Sequence, residues 1–444
     1  MLIPAQMAGK IVGVLGLGKS GLAAAAPLLA AGATVFLADD HKIPEQLPSG
    51  AHLRSWSDWP WTEIDLMVIS PGIAHAHPAP HPAAKLAAEH NVEVVSEIEI
   101  AMLAQPAARI VGITGTNGKS TTTALVGHCL EAAGIAVAVG GNIGDAACHI
   151  KDPGPNGVIV LELSSYQLET TPSLRTNVSV LLNISPDHID RHGGMDGYVA
   201  AKAKILEALG GKGLAILGEG DAYVRSLAAA EATAGQLVQI ARSSDAPAGS
   251  TQCPALIGAH NAENAAAAAL VLRHLGVDLT IIDQGMVNFA GLRHRLQHVV
   301  SAGPVAFVND SKATNGIAAA RALEAFDNIY WIAGGLAKED GIGAAAQALD
   351  HVTSAYLIGE STPIFSRALE GRCPASAYDN LHAATTAAFA DAWAGGVAAT
   401  VLLAPAAASF DQFDSFAARG DAFTGIAQQL AASVSEAGKG GAHA

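Results

Sequence analysis

GITGTNGKSTTT, residues 112–123, is the stretch on which the reading turns. It follows the apolar, β-rich run ARIV and leads into Lys119 and four hydroxyl side chains, Ser120 to Thr123. Gly115 and Gly118 let the backbone approach a ligand closely, Lys119 supplies a cation, and Ser120 or Thr121 can ligate Mg²⁺ where a helix starts. The loop departs from strict G-x-x-x-x-G-K-[ST] because Ile113 stands at the first glycine position. A nucleoside triphosphate is the expected occupant; the alternative is a plain strand-to-helix turn with a surface lysine.

On either side of this loop the same rhythm repeats. Short apolar runs (KIVGVLGLG, ATVFLAD, DLMVISPG, GVIVLELS, VSVLLNIS, and later GPVAFVND, NIYWIAGG, SAYLIG, ATVLLAP) alternate with helix-length Ala/Leu segments. That alternation predicts parallel sheets covered by helices. A chain of 444 residues is too long for one core, and the pattern restarts after Glu97 and changes again near residue 291. The expected fold is therefore α/β in three domains: an N-terminal Rossmann-like domain (1–97), a central P-loop-type ATP-binding domain (98–291) and a C-terminal Rossmann-like α/β domain (292–444).

Composition narrows the function. The 25 basic against 40 acidic residues give a net charge of −15, which would repel a polyphosphate backbone, so nucleic acid is not an expected partner. Cys129, Cys148, Cys253 and Cys373 show no C-x-x-C spacing, which argues against a disulfide framework or structural zinc and fits a reducing cytoplasm. The start lacks the features of a secretory signal, and Leu22 to Ala38 reads as helix, turn and strand instead of a membrane span.

A second phosphate signal lies at Gly16-Leu17-Gly18-Lys19-Ser20-Gly21, after a strand, with Asp39 closing the next one. Taken alone this reads as a dinucleotide fingerprint and a dehydrogenase, although any diphosphonucleotide suits amides at a helix N-terminus. Two phosphate sites in one chain suggest that one nucleotide belongs to a substrate. Glu162 closes the strand GVIVLE and is placed to hold Mg²⁺, and NISPDHIDRH packs Asp187, His188, Asp190 and His192 into one loop. AHAHPAPHP, with His75, His77 and His81, has a metal-like composition but is punctuated by proline and lacks acidic partners, so it reads as a surface loop.

Taken in order, GTNGKST, GGNIG (140–144), LELSSYQLE (161–169), NISPDHIDRH (183–192), HNAEN (260–264), LRHR (292–295) and NDSKATN (309–315) resemble the motifs of the Mur ligases of peptidoglycan synthesis, across nearly the whole chain. Within the family, NDSKATN, GLGKSG and PAAASFDQF are similar to those of the branch that adds D-glutamate to UDP-N-acetylmuramoyl-L-alanine. The resemblance implies ATP and Mg²⁺, those two substrates, an acyl-phosphate intermediate, a cytoplasmic monomer and no membrane insertion. It also assigns the first domain to the UDP of the sugar substrate, leaving ATP to the central one.

Residue by residue, the resemblance implies catalytic roles for Lys119, His188 and Lys202. ATP would meet Gly115, Thr116, Asn117, Gly118, Lys119, Ser120, Thr121, Asn261, Asn264, Arg295, Asp310 and Lys312, with His260 nearby. The UDP-substrate would meet Gly18, Lys19, Ser20, Asp39, Asp40, Ser70, Gly72 and Asn142. Thr314, Lys338, Ser409, Phe410 and Phe416 match amino-acid contacts. Ser120 and Glu162 match ligands of one Mg²⁺, and His188 and Lys202 those of a second. An ammonium cannot ligate a cation, so the family's answer, a carbamylated lysine, is expected at Lys202. The residues alone favour a solvated helix lysine there.

Overall fold

The computed structural model describes residues 1–41, 43–337 and 341–440. Its strands form three sheets. The first comprises β1 (Ile11–Leu15), β2 (Thr34–Ala38), β3 (His52–Leu53), β4 (Leu66–Ile69) and β5 (Glu93–Val95), in spatial order β3-β2-β1-β4-β5 and all parallel. The second holds β6 (Arg109–Thr114), β7 (Val137–Gly141), β8 (Val158–Glu162), β9 (Thr176–Leu181), β10 (Leu209–Gly218) and β11 (Leu237–Ala241), ordered β11-β10-β9-β6-β8-β7. The third is β12 (Gln297–Ala302), β13 (Val305–Asn309), β14 (Ile329–Gly334), β15 (Val352–Ile358), β16 (Ala375–Ala377) and β17 (Ala399–Leu403), ordered β12-β13-β17-β14-β15-β16.

The apolar runs singled out by sequence become the central strands. β8, β14 and β17 are buried at every position because helices cover both faces. The edge strands were not legible: β3 and β16 are two- and three-residue exposed strands, and β12 pairs antiparallel with β13, a departure from the all-parallel expectation. An edge strand faces solvent on one side and needs no continuous apolar run, so it leaves a weak mark in sequence.

Each sheet falls within one of the three expected segments, while packing divides the chain into two compact units. One is Met1–Ser250 with Glu263–Val287 and so contains both of the first two sheets; the other is Thr251–Ala262 with Asn288–Ala444. One core of the first unit runs from Val12 and Leu28 through Ile98 and Cys148 to Ile159 and Leu161, joining its two sheets, and a separate one gathers Phe36, Trp59, Trp61 and Met67 on the first sheet. The third sheet has a core on each face, one built on Trp331 and Phe365, the other on Phe307, Tyr356 and Phe423.

In each sheet, the loops at the C-terminal ends of neighbouring central strands lie side by side, which is where open α/β sheets bind ligands. These ends carry Gly16–Gly21 and Ser70–Gly72 in the first sheet; the phosphate loop, Glu162 and Asn183 in the second; and Asp310, Gly334 and Ala404–Ser409 in the third.

Candidate active site

The phosphate loop passes from β6 into the helix Lys119–Ala132. Gly118, the residue before that helix, is left-handed with φ of 86°, and a Cβ there would come within 2.2 Å of Asn264 Oδ1. Only glycine satisfies both constraints. No side chain caps this helix N-terminus, so its orphan amides and partial positive charge are available to an anion. Asn183 holds the loop's shape: its Oδ1 accepts from Asn117 N at 2.9 Å and its amide donates to Asn117 O at 3.1 Å. The Thr116 hydroxyl lies 2.9 Å from Tyr198 Oη and accepts from Ser185 N at 3.0 Å. Ser120 and Thr121 are buried at the helix start, as are Thr122 and Thr123.

Two lysines meet at one carbonyl of this loop. Lys119 Nζ donates to Gly115 O at 2.9 Å and Thr116 O at 2.8 Å, and Lys202 Nζ donates to the same Gly115 O at 2.8 Å. Lys202 is 2% exposed, with its amine 4.8 Å from the centre of the Tyr198 ring. The solvated lysine that the residues alone favoured is thus replaced by a buried one. Burial and then the Lys119 charge hold its amine well below the usual lysine range, with Asp187 and Glu162 opposing. A neutral amine is the form that reacts with CO₂ to give a carbamate and a proton, turning a donor into an anionic ligand.

Glu162 ends β8 and is 2% exposed. One carboxylate oxygen accepts from Asn142 Nδ2 at 2.9 Å; the other has no hydrogen-bond partner among the described residues. A buried, unsatisfied carboxylate oxygen is costly unless something cationic meets it. With the buried Ser120 hydroxyl, and with a carbamate oxygen in place of the Lys202 amine that now reaches Gly115 O, this donor set fits hard divalent cations. No group of three or more His, Cys, Asp and Glu with metal-ligand spacing occurs among the described residues. The expected ligand set includes a serine and a modified lysine, so it would not form such a group.

The histidines of 187–192 separate into two kinds. His192 is buried, with Nδ1 3.0 Å from Glu169 Oε1 and Nε2 2.9 Å from Ser165 Oγ, and stacks on Tyr166; it is a structural pin. His188 is left-handed, its side chain half exposed, with Nε2 3.6 Å from Asp187 Oδ2. Arg191, to which sequence assigned no role, donates to the Pro71, Gly72 and Ile73 carbonyls and lies over the Tyr166 ring at 4.6 Å. It ties the loop after β4 to the second sheet.

In the first sheet the glycine turn is tight enough that a Cβ on Gly21 would sit 1.8 Å from Gly16 O. Asp39 closes the turn, accepting from Leu17 N at 2.6 Å and His41 N at 2.9 Å. Asp40 accepts from Trp56 Nε1 at 2.9 Å and lies 2.7 Å from His81 Nε2; that bond, ahead of the Trp56 one, lowers its pKa despite some burial. His75 also lies 3.8 Å from Glu169. The histidine-rich loop therefore does have acidic partners, contrary to its reading as a surface loop without them. They come from 41 and 94 residues away in sequence (81−40 and 169−75). Gly18 and Lys19 are exposed, Ser20 half-buried, and Lys19 donates to the Gly144 carbonyl. Ser70 Oγ donates to Gly16 O at 2.9 Å beside exposed Gly72.

Asn264 lies against Gly118, whereas Asn261 donates to Ile257 O at 2.9 Å within the other unit. Also in that unit, burial pushes the Asp310 carboxyl up to about 7, against the Arg295 charge and a 3.3 Å bond from Leu296 N. Burial and then Arg321 push His260 down to about 4. Lys312 Nζ sits 3.7 Å from the centre of the Phe416 ring. Thr314 N donates to Lys312 O at 2.8 Å. Ser409 is 2% exposed, and its hydroxyl has no partner among the described residues. Phe410 beside it is 71% exposed. Lys338 lies outside the described residues.

Comparison with known proteins gives an independent view. Residues 113–253 match a model described as Mur ligase middle domain, and residues 10–96 match one for the Mur ligase MurD-like N-terminal domain. A UDP-N-acetylmuramoylalanine–D-glutamate ligase of Rhodospirillum rubrum is 42% identical, covering 99% of each chain. The like-named Phenylobacterium zucineum protein is 41% identical over 95% of this chain and 97% of its own. Among solved structures, UDP-N-acetylmuramate-alanine ligase MurC of Thermotoga maritima aligns over 94% of this chain and 99% of its own with a TM-score of 0.60. MurF of Acinetobacter baumannii aligns over 94% and 92% with 0.57. Identities are 17% and 16%, so these two speak to fold alone.

Proposed function

The chain belongs to the Mur ligase family, and from that premise we propose that it joins D-glutamate to UDP-N-acetylmuramoyl-L-alanine at the expense of ATP, in cytoplasmic peptidoglycan-precursor synthesis. Near-full-length identity to ligases of that name supports the substrates. The observation that carries the chemistry is the pair of lysines on Gly115 O beside the open oxygen of Glu162.

Joining a carboxylate to an amine requires a better leaving group than hydroxide. The L-alanyl carboxylate attacks the γ-phosphorus of ATP, ADP departs, and an acyl phosphate forms. The glutamate amine then adds to the acyl carbon, loses its proton, and phosphate leaves from the tetrahedral intermediate. Lys119 moves from the loop carbonyls to the phosphates, where its charge offsets the negative charge developing in transfer. The uncapped amides at the start of Lys119–Ala132 hold the phosphate oxygens. Ser120 and Glu162 would hold one Mg²⁺, and His188 with carbamylated Lys202 a second. When bound, these ions screen the phosphates from the attacking carboxylate.

The first-sheet turn at Gly16–Gly21, with Ser70 and Asn142, receives the uridine diphosphate and its attached peptide end. Asn261, Asn264, Arg295, Asp310 and Lys312 serve ATP, and Thr314, Ser409, Phe410 and Phe416 serve the amino acid. The test is phosphate release with ATP, UDP-N-acetylmuramoyl-L-alanine and a panel of D- and L-amino acids. Release should require acceptor and D-glutamate together; release with neither, or equal rates with L-glutamate, would refute the assignment.

A further inference from the structure

Arg419 is 1% exposed and sits in the first turn of the helix Phe416–Gly440. A cation there opposes the partial positive charge of the helix N-terminus. Its Nε donates to Ser311 Oγ at 3.0 Å, Nη1 to Gly334 O at 3.3 Å, and Nη2 to Ser311 O at 3.0 Å and Ala407 O at 3.1 Å. These acceptors lie at the C-terminal ends of β13, β14 and β17, the central strands of the third sheet. No carboxylate accepts from the guanidinium among the described residues. Asp411, the acid that acts on it through space, instead accepts from Glu360 N at 3.0 Å.

Tying three loops together does not require a charge. A neutral donor could bond carbonyls without the cost of burying an ion that has no bonded counter-ion. The charge therefore needs another explanation, and the surroundings offer one. Ser409 Oγ is buried and unpartnered, and Ser311 Oγ, which accepts from Arg419, donates to Phe416 O at 2.8 Å. Arg419 thus fixes the walls where Ser409 and Phe416 lie and adds a desolvated positive potential to them.

We propose that Arg419 is a positioning and charge-setting residue for the amino-acid pocket, selecting a substrate with a second carboxylate over the corresponding amide. The inference rests on the reading of Ser409 and Phe416 as glutamate contacts. It goes beyond that reading by assigning the preference for an acid to a residue that does not touch the substrate.

The test compares kcat/KM for D-glutamate and D-glutamine in the full-length wild type, R419Q and R419K, measured by phosphate release with ATP and UDP-N-acetylmuramoyl-L-alanine. R419Q should lose about a hundredfold on D-glutamate but less than about tenfold on D-glutamine, with KM for ATP and for the UDP-sugar within about twofold of wild type. R419K keeps the charge and should retain the acid-over-amide ratio within about threefold while raising KM for D-glutamate. Equal losses on both amino acids, or a loss shared by all three substrates' KM, would show a merely structural arginine and overturn the proposal. If R419Q fails to fold, R419K decides: a collapsed ratio or an unmoved D-glutamate KM overturns it. A wild type that does not use D-glutamate would instead sink the pocket reading beneath it.

Discussion

Lys202 and Arg419 are both buried basic side chains, one in each unit, and both donate to main-chain carbonyls at the ends of parallel strands. They differ in what burial does to them. The lysine amine, with a second lysine on the same carbonyl, falls well below its usual range, whereas the arginine falls only to about 10 and keeps its charge at any working pH. The lesson is that a buried basic group takes one of two roles according to how readily it sheds a proton. Lysine becomes a nucleophile that can be converted to an anion, and arginine becomes a fixed charge.

The largest effect that tests this contrast is Lys202→Arg, which keeps a cation but abolishes the neutral amine. It should lower kcat by about a thousandfold; an active arginine variant would erase the distinction. Depleting CO₂ should reduce wild-type turnover and bicarbonate restore it, read by the same phosphate assay. Next comes Glu162→Gln, which removes the open carboxylate oxygen. It should raise the Mg²⁺ concentration for half-maximal activity by about 10- to 100-fold, and an unchanged Mg²⁺ dependence would detach Glu162 from the metal.

A stability measurement sharpens the comparison further. Because the folded-state pKa of Lys202 lies below its unfolded value, the unfolded chain binds more protons and stability rises with pH towards the lysine range. In CO₂-free buffer, Lys202→Met should flatten the rise in Tm between pH 6 and 9 by about 2–4 °C. Arg419→Met should leave that slope unchanged, since arginine does not titrate in the window. The smallest effect concerns His260, lowered to about 4. Its contribution is present above the unfolded value and lost as pH falls from about 6.5 towards 4. His260→Asn should therefore narrow the Tm gap between pH 7.5 and 5 by about 1–3 °C.

How much of this could be read beforehand follows from the range of each interaction. The phosphate loop was legible because a β-run, two glycines, a lysine and hydroxyls all act within a dozen residues. The central strands were legible because burial on both faces demands continuous apolar runs. Asn183, Tyr198 and Arg191 were not, although Asn183 and Arg191 lie within a quoted motif. Their partners Asn117, Thr116 and the Pro71–Ile73 carbonyls are between 66 and 120 residues away. The histidine loop was misread for the same reason, its acids being distant in sequence.

The amino-acid sequence by itself determined the α/β layering, the two glycine-rich strand-to-helix turns and the kinship of the motifs, since glycine geometry, hydroxyl placement and apolar periodicity are local properties of the chain. Tertiary structure alone decided the charge states. Lys202 reads as an ordinary helix lysine until folding removes water from it and brings Lys119 to the same carbonyl. Arg419 carries no mark in the sequence, and its place is set only where three strand ends close around it. Desolvation and through-space charge depend on neighbours in three dimensions, and those neighbours are assembled only by the fold.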